Sequence, residues 1–380
     1  MMHLTDFDPA TFLRDYWQQR PLLIRNPWAA WANPLDPDEL AGLACEDGVE
    51  ARIVTAKRHD WKVEHGPFPE KRFAKPGKKP WTLLVQAVDT HVPEVTALRD
   101  AFRFIPDWRI DDVMVSYASD GGGVGPHFDR YDVFLIQGLG RRRWQIGARC
   151  DAATPLRPHD DLRLLADFAA TEEWVLDPGD MLYVPPGIAH HGVAVGDDCM
   201  TYSIGFRAPS RAELIGYFAD DILSRQSDDD RYTDPGLTPQ ANPGEIAAPA
   251  LAALHDMVTS ALLDRAAFAR WFGEYVSEPK APLGAEGEVA VTVVRERLAA
   301  GAALVRNPGS RFAFTRQDAG TLLLFVDGVS FDCTAETAAF AEALCAGGSV
   351  RVDEPQRSDA TVALVATLIA QGSLAFDAED

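Results

Sequence analysis

The chain has 380 residues, 47% of them hydrophobic and 24% charged, and a formal net charge of −21. At this length two or three domains are expected, with the composition of a soluble globular protein. So negative a surface repels nucleic acid and favours basic partners. No run of about eighteen apolar residues is present, which excludes a membrane-spanning helix. The first residues, "MMHLTDFDPATFLRDYW", lack the basic-then-apolar order of a secretory signal. Cys45, Cys150, Cys199, Cys333 and Cys345 are scattered without a CxxC pair, as in reduced cytoplasmic proteins.

The segment up to about residue 110 reads as mixed. "DPATFLRDYWQQRPLLIRN" offers a short helix starting near Asp8 or Pro9, followed by an extended "PLLIRN". Lys57, Arg58, Lys62, Lys71, Arg72, Lys75, Lys78 and Lys79 make the stretch from 57 to 80 basic, and it reads as a solvated loop. "WTLLVQAV" is a strand candidate, and "TALRDAFRFIP" has helical spacing at Leu98, Phe102 and Ile105.

From Val113 to Phe206 short strands dominate, separated by Gly, Pro and Asp turns: "VMVSYAS", "YDVFLIQG", "RRWQIGA", "EWVLDPGDMLYVPPG" and "MTYSIGFRAP". That punctuation predicts a barrel, of the double-stranded β-helix or cupin jelly-roll type. Within it, "GGGVGPHFDRYDVFLIQG" places His127 and Asp129 two residues apart, so in a strand they share a face. "LDPGDMLYVPPGIAHHGV" supplies a third group after a Pro-Pro-Gly turn. Neighbouring strand residues face opposite ways, so only one of His190 and His191 joins the set. His190 is the expected ligand. Two imidazoles and one carboxylate make a facial triad for Fe(II), with the opposite side open to a cosubstrate and oxygen.

The commonest two-electron donor for such a site is 2-oxoglutarate, whose distal carboxylate needs a cation. "GRRRWQIG" offers Arg141, Arg142 and Arg143, with Arg142 on the opposite face from the other two. Ser116, on the strand before the Gly-rich turn, can donate a second hydrogen bond. Tyr131 shares the face of Asp129 and can pack on a substrate at the mouth. Asp120 at the Gly-rich loop can grip a cationic substrate, although a turn-forming Asp fits equally well. Ser203 in "TYSIGF" is a further lining candidate.

After Pro209 helices take over. Ser210 and Glu213 form a capping box ahead of Leu214, Ile215, Phe218, Ile222 and Leu223 at helical spacing. "APALAALHDMVTSALL" and "RAAFARWFGEYVS" continue the helical block, which can clasp the barrel or form a dimer interface. "SEPKAPLGAEGE" reads as a linker. Beyond it lie the strands "RFAFTR" and "TLLLFVDG" and the helices "TAETAAFAEALCAG" and "DATVALVATLIAQG". They suggest a winged helix whose second helix has no basic stripe, so DNA is not an expected ligand.

The segments "GGGVGPHFDRYDVFLIQGLGRRRWQIG", "PPGIAHHGVA" and "YSIGFRAPSRAELI" closely resemble the bacterial ribosomal oxygenases. These are JmjC-type, cupin-fold enzymes that hydroxylate an arginine of the sixteenth large-subunit ribosomal protein. The order of parts agrees along nearly the whole chain. The histidine doublet departs from patterns with another residue after the third ligand. The resemblance implies a metal triad of His127, Asp129 and His190, and 2-oxoglutarate contacts at Ser116 and Arg142. It implies a substrate pocket with Asp120, Tyr131 and Ser203, attack at an arginine β-carbon, and a homodimer formed by the helical region. The expected architecture is α+β and multidomain: a JmjC/cupin catalytic domain over 1–208, a helical dimerisation domain over 209–280 and a winged-helix-like module over 288–380. The expected activity is Fe(II)- and 2-oxoglutarate-dependent hydroxylation, with O2 as the other cosubstrate, of a basic ribosomal protein in the cytoplasm. The alternatives are histidine hydroxylation or demethylation by the same chemistry, a non-catalytic ribosome-assembly binding protein, and a cupin acting on small molecules.

Overall fold

The computed structural model describes residues 3–57, 60–74, 80–284, 287 and 289–377. Of the basic stretch, Arg58, Lys75, Lys78 and Lys79 lie outside these residues. The chain forms two compact units, residues 1–208 and residues 209–380.

In the first unit helix α1 (Pro9–Asp15) starts at an Asp8 N-cap that accepts from Ala10 and Thr11. Strand β1 (Leu22–Ile24) and helix α2 (Pro37–Leu43) follow. Where a solvated loop was expected, β2 (Ala51–Lys57) and β3 (Asp60–His65) pair as a hairpin ahead of a single turn, α3 (Lys71–Ala74). The signal was the alternation of Trp61 and Val63 with charged neighbours, which the run of lysines obscures. Next come β4 (Trp81–Val85), α4 (Pro93–Arg99), β5 (Ile110–Ala118), β6 (Asp132–Arg149), β7 (Glu172–Leu176), β8 (Met181–Val184) and β9 (Ile188–Phe206). Helix α4 ends at Arg99 and gives way to a 3-10 turn, yet Leu98, Phe102 and Ile105 are all buried, as their spacing predicts.

The strands hydrogen-bond in the order β1-β8-β6-β9-β5-β4-β2-β3, with β7 on the side of β6. This is the jelly roll the turn-punctuated strands predict. One face of the sheet carries Ile53, Leu83, Val115, Phe134, Ile136, Tyr183, Tyr202 and Phe206, packed beneath Phe12, Trp28, Leu40 and Phe102. That layer is the main core. The other face turns inward, and its rows read directly from the register. Arg52 pairs with Leu84, Leu84 with Ser116, Ser116 with Thr201, and Thr201 with Gln137.

Strand β6 runs unbroken through what reads in sequence as two strands and a turn. The bend is absorbed by register shifts between Gln137 and Arg141, with Gly140 at φ +58. A Cβ on Gly140 would lie 2.6 Å from the Asp198 carbonyl oxygen, so the close approach requires glycine. The shift moves the alternation by one residue. Before it Val133, Leu135 and Gln137 face inward; after it Arg142, Trp144 and Ile146 do. β9 makes the matching change near Gly196, so Ala194, opposite Arg142, clusters with Ala118 and Cys199.

In the second unit α5 (Arg211–Arg225) carries the predicted capping box, with Ser210 accepting from Glu213. Helices α6 (Ala248–Leu262) and α7 (Arg265–Ser277) follow. The remainder contains α8 (Val291–Ala299), β10 (Leu304–Arg306), β11 (Phe312–Arg316), β12 (Leu322–Val326), β13 (Val329–Cys333), α9 (Ala335–Ala346), β14 (Ser349–Val350), α10 (Asp359–Ala370) and β15 (Leu374–Phe376). Strands β11, β12 and β13 form an antiparallel wing, and β14, β10 and β15 form a second small sheet. Helix α7 packs on the wing. Gly273 lies flat on the Phe325 ring, and Arg270 donates to Ser330 and Asp332, each at 2.8 Å. Among the described residues no helix is long and apolar enough to cross a membrane.

Candidate metal centre

The Gly-rich segment ahead of His127 runs alongside β9 and is held to it by main-chain bonds. Gly121 donates to Ala194, and Ala194 donates to Gly122. A Cβ on Gly123 would stand 2.4 Å from the Gly192 carbonyl oxygen, so this contact leaves no room for a side chain. Gly123→Ala is expected to cost about 1–3 kcal/mol, read as a lowered melting temperature, because the segment must lift off β9.

The same pairing delivers the candidate ligands. His127 and His190 exchange two backbone hydrogen bonds, at 3.1 and 2.8 Å, and their ring centroids are 4.3 Å apart. Gly187, in the Pro-Pro-Gly turn, donates to the Asp129 carbonyl at 2.7 Å, which ties the turn to the carboxylate's own backbone. Nδ1 of His127 faces the Gly125 carbonyl at 2.9 Å, and Nδ1 of His190 faces that of Ile188 at 3.0 Å. A carbonyl only accepts, so each Nδ1 carries a proton and Nε2 is the ring nitrogen turned to the other ligands. His190 Nε2 is 3.6 Å from Asp129 Oδ2. One ligand atom from each of the three residues lies within 4.8 Å of the others. Burial, reinforced by His127, pushes the His190 pKa down to about 4, although Asp129 pulls the other way. The ring is therefore neutral near pH 7, the form that binds metal. His191 pairs with Gln145 instead and sets its ring edge-on to Phe168, so it points away from this group.

Around the triad the inner face is buried and mixes an apolar cluster that includes Val133, Leu135, Trp144 and Ile146 with polar residues. Arg142 is 3% exposed, and its Nε and Nη2 have no hydrogen-bond partner among the described residues. Its guanidinium lies 5.7 Å from the Trp144 ring centroid. Ser116 and Ser203 are both buried and face inward, opposite Thr201 and Met114 respectively. Tyr131 is partly exposed. Burial, and then Asp129 and Asp112, raise its phenol pKa far above the ordinary value, so it stays protonated. Asp120 is exposed and sits further along β9, where its Oδ1 accepts from Gly196 N–H at 2.8 Å. That is the turn-forming arrangement, and the structure does not bring Asp120 into the triad's own cluster.

Sequence reasoning missed four residues of this face: Arg52, Thr82, Asp112 and Trp144. They reach it through cross-strand register, and only Trp144 carries a local signal, as the i+2 neighbour of Arg142. The residues suit Fe(II) and 2-oxoglutarate. The donor set is two imidazoles and a carboxylate, and the same face holds an unpaired buried guanidinium suited to the far end of a dicarboxylate.

The comparisons with known proteins agree with this geometry. A family model described as a JmjC domain matches residues 97–214, and one described as a ROXA-like winged helix matches residues 255–375. The chain is 43% identical over 269 residues to the ribosomal protein uL16 3-hydroxylase of Escherichia coli (strain K12), covering 71% of each chain. It is 46% identical over 215 residues to a probable ribosomal oxygenase of Haemophilus influenzae, covering 56% of this chain and 52% of that protein. The crystal structure of E. coli ycfD superposes with a TM-score of 0.87 at 35% identity, covering 99% of this chain and 100% of that one. A structure of YcfD, a ribosomal oxygenase, in complex with cobalt and 2-oxoglutarate superposes with a TM-score of 0.86, also at 35% identity, with 99% and 100% coverage. With identity and fold in agreement over both compact units, the chain belongs to the JmjC-type ribosomal oxygenases of bacteria.

Proposed function

We propose that this chain hydroxylates the β-carbon of an arginine side chain in a large-subunit ribosomal protein, consuming 2-oxoglutarate and O2 at Fe(II). The observation that carries this reading is the unpaired, buried Arg142 on the same inner face as the His127, Asp129 and His190 cluster. In this reading His127 and His190 hold the ion through Nε2 and Asp129 holds it through its carboxylate. The Nδ1–H bonds to Gly125 and Ile188 fix both ring orientations. Arg142, helped by Ser116, holds the distal carboxylate of 2-oxoglutarate. Bound Fe(II) supplies the redox chemistry that couples 2-oxoglutarate breakdown to C–H hydroxylation. Tyr131 and Ser203 line the substrate's path, and Asp120 receives the arginine's positive charge at the rim. The net charge of −21 favours encounter with a basic protein.

The remaining assignments are part of the same proposal. The catalytic part spans 1–208, a helical part over 209–280 makes a homodimer, and 288–380 is a winged-helix-like module that binds no DNA. The protein works in the cytoplasm. Leu251, Leu254, Val258 and Leu262 lie exposed at helical spacing on α6, and this supports a subunit interface there. Leu254→Glu combined with Val258→Glu is expected to halve the mass measured by light scattering.

The direct test uses the full chain with Fe(II), ascorbate, 2-oxoglutarate and an arginine-containing peptide of the ribosomal substrate. Mass spectrometry is expected to find a gain of one oxygen, and fragment ions are expected to put it on the arginine β-carbon. A gain on a histidine would redirect the proposal to histidine hydroxylation. No gain and no succinate, with iron bound, would favour a non-catalytic binding role.

A further inference from the structure

We propose that the indole N–H of Trp144 is a second binding donor for 2-oxoglutarate, set between the metal ligands and Arg142; this rests on the function proposed above. Buried polar groups in folded proteins are almost always hydrogen-bonded, so those left without a partner call for an explanation. Among the described residues the buried side-chain atoms without one are Arg52 Nε, Thr82 Oγ1, Arg142 Nε and Nη2, Trp144 Nε1 and Ser310 Oγ. All but Ser310 belong to the inner face of the barrel. Their concentration there points to a polar molecule that fills the chamber.

Trp144 has the central position. On β6 Arg142, Trp144 and Ile146 follow one another on one face, and across from them on β9 stand Ala194, Gly192 and His190. The Trp144 ring is therefore flanked by the Arg142 guanidinium, 5.7 Å from its centroid, and by the His190 ring, with centroids 6.0 Å apart. A dicarboxylate reaching from the metal to Arg142 has to pass this ring. Gly192 gives the ring its place, since a Cβ there would lie 2.7 Å from the six-membered part of the indole.

The chemistry of the group selects the partner. An indole N–H only donates, so its complement must be an acceptor. The guanidinium of a substrate arginine offers none. 2-Oxoglutarate offers five oxygens, and only some of them are taken by a metal and Arg142. A tryptophan whose role was packing alone would be better replaced by phenylalanine, which fills similar space without a buried, unpaired N–H.

The test uses the full chain, labelled with 15N at its tryptophan indoles and loaded with Zn(II). The Trp144 signal is assigned by its loss in Trp144→Phe, or in Trp144→His should the first variant fail to fold. Adding 2-oxoglutarate is expected to move this indole proton downfield, as a newly hydrogen-bonded N–H does. Trp144→Phe is expected to bind 2-oxoglutarate roughly tenfold more weakly by calorimetry, the scale of one buried hydrogen bond. It should do so without a lower melting temperature in the absence of ligand, since phenylalanine keeps the packing and removes only the N–H donor. An unmoved Trp144 signal at calorimetric saturation would overturn the proposal, as would wild-type affinity in Trp144→Phe. No binding heat in the wild-type protein would overturn the proposed function, and this inference with it.

Discussion

Arg142→Met is expected to weaken 2-oxoglutarate binding by roughly 30-fold or more, because removing one partner of a buried charge pair costs about 2–5 kcal/mol. The same substitution is expected to leave the ligand-free protein at least as stable as the wild type. Arg142 is a buried guanidinium on the inner face, with Nε and Nη2 unbonded among the described residues and the Trp144 ring 5.7 Å away. An uncompensated buried charge destabilises a fold, and an apolar side chain of similar length removes that cost. Stability and ligand affinity should therefore move in opposite directions. Thermal denaturation without ligand and the KM for 2-oxoglutarate read the two separately. A lower melting temperature with an unchanged KM would make Arg142 a structural residue and sink the cosubstrate assignment.

Asp129→Ala is expected to abolish measurable hydroxylation. Loss of an outer-shell partner already costs about 10–100-fold in metal affinity or activity, and loss of a ligand exceeds that. The fold should survive. The side chain is 22% exposed, and the neutral His190 ring stands with Nε2 3.6 Å from Oδ2, too far for a strong hydrogen bond. The two histidines stay tied by their backbone pair whatever occupies position 129. Bound iron and succinate release should thus fall together while the melting temperature of the metal-free protein holds. Full activity in the variant would remove Asp129 from the site.

The parts that were legible in the sequence are those whose geometry is local. His127 and Asp129 are two apart, although they precede β6 rather than lying in a strand and only His127 forms a bridge, to His190, and the Pro-Pro-Gly turn announces His190. Ser210 and Glu213 spell out the start of α5 within four residues. What was hidden depends on distant register. Arg142 faces inward only because the bulge near Gly140 shifts the alternation of β6, and the arginine triplet alone gives that shift no number. Arg52 and Ser116 share a row because β4 lies between their strands, and nothing near either residue says so. The hairpin of β2 and β3 was masked by charge, since lysines and arginines on its exposed face look like a loop. Helix α8, with Val294 and Leu298 as its buried stripe, is short and gives too few turns for its period to stand out.

The bridge between His127 and His190 also has a consequence in time. The two residues leave the ribosome far apart. At a synthesis rate of about 5–20 residues per second, His190 emerges roughly 3 to 12 s after Asp129. Until β9 arrives, the first imidazole and the carboxylate have neither their third partner nor the backbone pair that orients them. β9 must then seat against both β5 and β6 before the ring atoms converge. Ion uptake is therefore an event of the finished chain, and a nascent polypeptide stalled before Ile188 should leave the ribosome without a metal.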